Sequence, residues 1–170
     1  MRLGSQEGGL MMRRWTTGIA LLAVVATTIG CDQVSKDLAR SHLMGGARQS
    51  WLGDSIRLVY AENSGGFLSL GAGLPAGLRT ALFSFGTAVI LAACIVAIAR
   101  HRTLTLSGFG LTLIVAGGLS NLADRVARGS VVDFLNVGIG PLRTGIFNVA
   151  DMAITTGIVL TVLRRARHEG

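Results

Sequence analysis

Lysine is almost missing from this 170-residue chain: Lys36 is the only one, and the other basic residues are all arginine. Acids are scarce too, nine in all, and charged residues make up only 15% of the sequence. A soluble domain of this size needs more charge to cover its surface. With half the residues hydrophobic and a mean hydropathy of +0.56, the composition selects a membrane protein. The two cysteines, Cys31 and Cys94, lie in different apolar runs and fit neither a disulfide framework nor a metal-ligand spacing. His42, His101 and His168 stand near segment ends and read as solvated or interfacial side chains. There is no His-Glu-x-x-His, and neither a Ser/His/Asp nor a Cys/His set offers a hydrolytic site, so no metal or cofactor is expected. The pI near 11.2 raises the question of nucleic acid, but the arginines are scattered between apolar runs without interleaved aromatics, which excludes that partner.

Four apolar stretches are present. Gly18–Cys31 is too short for the about 20 residues a spanning helix needs, unless it continues through Val34 and Leu38. On that extension Asp32 and Lys36, four apart, share a face. Leu82–Ala99 is uncharged and reaches spanning length with Gly77–Ala81 added, Leu104–Ala123 ends in Ser120 and Asn121, and Gly145–Leu163 holds one acid, Asp151. The expected fold is an all-α membrane protein of four transmembrane helices over residues 16–165. Residues 1–15, Gly-rich at their start, read as a disordered cytoplasmic N-terminus and 166–170 as a cytoplasmic tail; Met11 or Met12 could replace Met1 as the start. Arg100-His101-Arg102 is a tight link, whereas 44–75 and 124–144 are long; within them Ser55–Tyr60 alternates like a strand and Val131–Val137 is β-rich. Basic residues divide evenly between the two sides, but Arg13-Arg14 leads into the first helix, which favours cytoplasmic termini.

Ionisable groups beside membrane spans are expensive and tend to be functional. Here they gather at one depth. Asp32 and Lys36 lie late in the first helix, and Asn121, Asp124 and Arg125 close the third. Asn148 and Asp151 share a face, expected about two turns into the fourth helix. Asp133 and Asp151 stand out as acids embedded in apolar neighbours, where desolvation disfavours ionising both and a shared proton lets the pair act as base and acid at once.

Asp32-Gln33-x-x-Lys36, Glu62-Asn63-x-Gly65, Asn121-Leu122-Ala123-Asp124-Arg125 followed by Gly129-x-Val131-Val132-Asp133-Phe134, and Phe147-Asn148-Val149-Ala150-Asp151 together resemble the motifs of the lipoprotein signal peptidases (signal peptidase II), in order and over nearly the whole chain. The resemblance implies an intramembrane aspartic endopeptidase that cuts diacylglyceryl-modified prolipoproteins just before the lipidated cysteine, with the segment around Asn63 on a small extracytoplasmic β-sheet that cradles the substrate. It implies Asp133 and Asp151 as the catalytic pair. Asn63, Gly65, Asn121, Arg125 and Asn148 would hold the substrate backbone or shape the site, and Asp32, Lys36 and Asp124 would support it by polar pairing. The partners implied are diacylated prolipoproteins and membrane lipids, the site a bacterial inner membrane with the active centre near its outer face, and the state a monomer. Two departures from the family pattern, Gly66-Phe67-Leu68 for Ala-Ala-Phe and Ser120 for Gly, bear on fine substrate contacts.

Two other readings compete. Thr28-Ile29-Gly30-Cys31 resembles a lipoprotein cleavage site, but a substrate has no need of three further spans and an ordered set of acids. A small transporter or proton channel would spread polar residues through the membrane depth and favours inverted repeats, and neither is found.

Overall fold

The computed structural model describes residues 3–65, 73–100 and 105–166, and these described residues form four helices and four strands. α1 (Leu3–Leu43) leads to β1 (Gln49–Trp51), β2 (Ile56–Asn63), α2 (Ala76–Arg100), α3 (Leu106–Arg128), β3 (Val131–Ile139), β4 (Leu142–Arg143) and α4 (Val149–Ala166). The link residues 101–102, the departure at 66–68 and tail residues 167–170 lie outside the described residues.

Three helical segments, Trp15–Leu43, Gly77–Arg100 and Leu106–Arg128, are long and apolar enough to cross a membrane, and Val149–Leu163 is a shorter apolar helix. The burial pattern is inverted relative to a soluble protein. Asp32, Lys36, Ser120, Asn121, Asp124, Asp133 and Asn148 are buried, while Leu82, Phe85, Ile90 and Val96 of α2 are exposed. Apolar surface of that extent suits lipid, and the polar interior suits helices held together without a hydrophobic driving force. The chain is thus a multi-pass membrane protein.

Two expectations about the helices change. α1 takes in residues 3–15, for which composition suggested disorder. α4 begins at Val149, later than Gly145, because Phe147 is still extended and bridged to Leu135 of β3. Asp151 therefore lies in the first turn of α4 rather than two turns in.

Small residues set the tightest helix contact. A Cβ on Gly117 of α3 would sit 2.4 Å from the Ala150 carbonyl, and one on Gly157 of α4 would sit 2.4 Å from the Gly110 carbonyl. Only glycine at these points lets the two backbones meet. On the other flank Leu91 of α2 packs against Gly118.

The sheet is antiparallel in the order β1-β2-β3-β4, with a register irregularity in β2 between Leu58 and Ala61. Beyond it Ala61 pairs with Asp133, and Asn63 with Val131. Gly129, at φ 76°, ends α3 in the left-handed region and donates its N–H to the Arg125 carbonyl. That turn sends the chain into β3 and delivers Asp133 beside the start of α4.

Candidate active site

The site forms where the end of α3, the start of α4, β2 and β3 meet. Asn148 is the residue before α4 and caps it: its Oδ1 accepts from the Asp151 N–H at 2.9 Å, while the Asp151 Oδ2 accepts from the Asn148 N–H at 3.2 Å. This reciprocal pair is a capping box, so the same geometry that starts the helix fixes the Asp151 carboxyl. The remaining donor of Asn148, Nδ2, reaches the Asp133 Oδ1 at 2.6 Å. One fully buried asparagine thus ties the two acids together.

Each acid has a second amide partner. Asn63 Nδ2 donates to the Asp133 Oδ2 at 3.1 Å, and its Oδ1 accepts from the Gly65 N–H at 3.1 Å, which orients the amide. Asn121 Nδ2 donates to the Asp151 Oδ1 at 2.9 Å. Burial pushes the Asp133 carboxyl up to about 6; the nearby Asp151 carboxylate adds to the rise, and hydrogen bonds from Asn63 and Asn148 oppose it. The chain therefore brings together two acids, each held by side-chain amide donors.

Behind them lies an ionic cluster. Lys36 Nζ is 2.6 Å from the Asp32 Oδ2 and 2.7 Å from the Asp124 Oδ2, with all three side chains essentially inaccessible. It also donates to the Asn121 Oδ1 at 2.8 Å. Asp32 accepts from the Ala150 N–H at 2.8 Å and from Ser120 Oγ at 2.7 Å, so the first helix grips the first turn of α4. A buried pair of this kind contributes little net stability, but removing one partner leaves a costly unpaired charge. Its evident contribution is geometric.

Arg125 stands apart from this cluster. Its Nη1 reaches only the Asn121 carbonyl, at 3.4 Å, and its Nε is buried with no hydrogen-bond partner. It lines a cleft of about 780 Å³ together with Glu62, Ser64, Arg79, Ser84 and Arg128. Arg79 Nε and Ser84 Oγ are likewise buried and unpartnered there.

Other side chains also belong to the site. Ser120, expected to bear on substrate contacts, is instead buried between Asp32 and Gln33, whose Nε2 donates to it at 2.9 Å. Arg128 donates to the Asp124 Oδ1 at 2.7 Å, an i,i+4 pair that spacing alone could have flagged. Arg79, which donates to Ser64 Oγ at 2.8 Å, carried no such signal.

A family model described as signal peptidase (SPase) II matches residues 24–167. Among curated relatives, a lipoprotein signal peptidase of Streptococcus pneumoniae is 32% identical over 152 residues, covering 88% of this chain and 95% of the relative. One from Burkholderia ambifaria is 36% identical over 156 residues, covering 88% of each. A solved bacterial membrane enzyme superposes with a TM-score of 0.76 over 89% of this chain and 90% of the other; at 23% identity it speaks for the fold alone.

Proposed function

The chain belongs to the signal peptidase II family, and from that premise we propose that it is an intramembrane aspartic endopeptidase that removes signal peptides from prolipoproteins, with Asp133 and Asp151 as its catalytic pair. The observation that carries the reading is Asn148, which holds the Asp133 carboxyl through its amide and the Asp151 carboxyl through its N–H.

In the singly protonated pair one carboxylate takes a proton from water while the other, as acid, polarises the scissile carbonyl. Water oxygen bonds to the carbonyl carbon. When the resulting diol collapses, the C–N bond breaks and the leaving amine receives a proton from the pair. The products are a signal peptide with a new carboxyl terminus and a lipoprotein with a free amine on its first cysteine. Arg125 Nε, Arg79 Nε and Ser84 Oγ, buried and unpartnered in the cleft, suit backbone carbonyls of an extended substrate. Asn63, at the end of β2, holds the Asp133 carboxyl, and Gly65 in turn orients the Asn63 amide.

The substrate is a prolipoprotein whose cysteine already carries diacylglycerol, cut just before that cysteine. A shallow site opening beside exposed apolar helix faces suits a peptide that delivers acyl chains, each buried CH₂ contributing about 0.8 kcal/mol to binding. The fourth helix spans as well: its 18 residues make about 27 Å, close to the hydrocarbon thickness. The acids then lie near the outer face of a bacterial inner membrane, with both termini cytoplasmic and the enzyme a monomer that needs neither metal nor nucleic acid. Purified protein is expected to release the signal peptide from a diacylated prolipoprotein and to cut the unlipidated precursor poorly. Equal cleavage of the two, or no cleavage of either, would refute the assignment.

A further inference from the structure

We infer that Lys36 is a positioning residue for Asp151, acting through the side-chain amide of Asn121. This rests on the peptidase reading above and assigns the route by which the chain's single lysine serves the reaction.

An amide side chain has two faces of opposite character, an acceptor oxygen and a donor nitrogen, and nothing in its shape selects between them. Asn121 sits between Lys36 on one side and Asp151 on the other, with contacts of 2.8 and 2.9 Å. An ammonium has only donors, so it must take Oδ1. Nδ2 is thereby turned toward the Asp151 Oδ1. Asn148 Nδ2, 3.4 Å from the Asn121 Oδ1, reinforces the orientation. Lys36 is itself fixed, because Asp32 and Asp124 hold its Nζ from two sides and no part of the side chain reaches solvent.

Remove the ammonium and the constraint reverses. The Asp124 Oδ2 loses its lysine donor and becomes a competing acceptor for Asn121 Nδ2. The amide can then swing from Asp151 toward Asp124, or turn its oxygen on the Asp151 carboxylate. Either way the Asp151 Oδ1 loses a donor and its fixed aim, while the cleft that binds substrate keeps its lining.

The test is a double-mutant cycle on the full chain, with a diacylglyceryl-modified prolipoprotein in detergent micelles. Wild type, Lys36→Met, Asn121→Ala, the double variant and Asp151→Asn are compared for kcat and KM, with folding followed by gel filtration and thermal unfolding. Lys36→Met should lower kcat about 100-fold while KM stays within about threefold. In the Asn121→Ala background the same change should matter by no more than about threefold, because the route is already cut. Where Lys36→Met does not fold, Lys36→Met/Asp124→Asn against Asp124→Asn, again with and without Asn121→Ala, applies the same criterion. Losses that multiply in the double variant, or that fall on KM alone, overturn the inference and leave the peptidase reading intact. No cleavage by the wild type, or activity surviving in Asp151→Asn, removes the reading instead.

Discussion

Gly117→Ala offers a direct probe of how helix packing aims the acid pair. The added Cβ would lie 2.4 Å from the Ala150 carbonyl oxygen and 2.9 Å from Ile154 Cγ1. Ile154 can shift its side chain, but the carbonyl belongs to the backbone. Ordinary contact begins near 3.4 Å, so the first turn of α4 must retreat by about 1 Å. Asp151 is the next residue along. A displacement of about 1 Å at a reacting group can lower turnover by about 100-fold, and overpacking of this kind costs about 1–3 kcal/mol of stability. Gly157→Ala is the control. Its Cβ would meet the Gly110 carbonyl at the same 2.4 Å, but Gly157 lies six residues beyond Asp151, about 9 Å along the helix. It should destabilise to a similar degree while lowering kcat less than about tenfold. Both variants are purified in one detergent, their thermal unfolding compared, and kcat measured on a diacylated prolipoprotein. Wild-type turnover in Gly117→Ala, or equal kcat losses in the two variants, would refute the idea that this contact aims Asp151.

Other outcomes follow from the same geometry. Burial raises the Asp133 carboxyl to about 6, so the pair's shared proton should be lost, and kcat/KM should fall, as pH rises past that value; a flat profile there refutes the shared proton. Asp133→Asn and Asp151→Asn should each fold yet lose activity by several orders of magnitude, with the double variant scarcely worse, because the two act as a unit; substantial activity in either single variant ends the aspartic mechanism. Asp32→Ala strips a buried partner from Lys36, a change worth about 3–5 kcal/mol, and should reduce folded yield more than the turnover of what folds. If it folded normally and were inactive, Asp32 would have to be given a catalytic role. A reporter fused at His168 should be active only on the cytoplasmic side, and activity only on the opposite side inverts the topology.

Hydropathy and spacing by themselves carried much of this protein. Uncharged runs marked the helices, since a span must present an unbroken apolar surface to lipid. The i,i+4 spacing of Asp32 and Lys36 anticipated a pair found at 2.6 Å. Alternation marked Ser55–Tyr60, most of which became β2, and the acids flanked by apolar residues marked Asp133 and Asp151. The capping box of α4 was also written locally, as Asn148-x-x-Asp151, but the apolar run around it concealed where the helix starts. What only the tertiary structure decided are the contacts between distant segments. Asn63 meets Asp133, seventy residues away, through the antiparallel register of β2 and β3 and the irregularity within it. Lys36 meets Asn121 and Asp124, and Asp32 the Ala150 N–H, only once glycines let α3 and α4 close up and α1 docks beside them. Composition and periodicity report which face of a segment is apolar. The partner of each buried polar group depends on register, depth and rotation between elements, and those are fixed only when every buried donor and acceptor is satisfied at once.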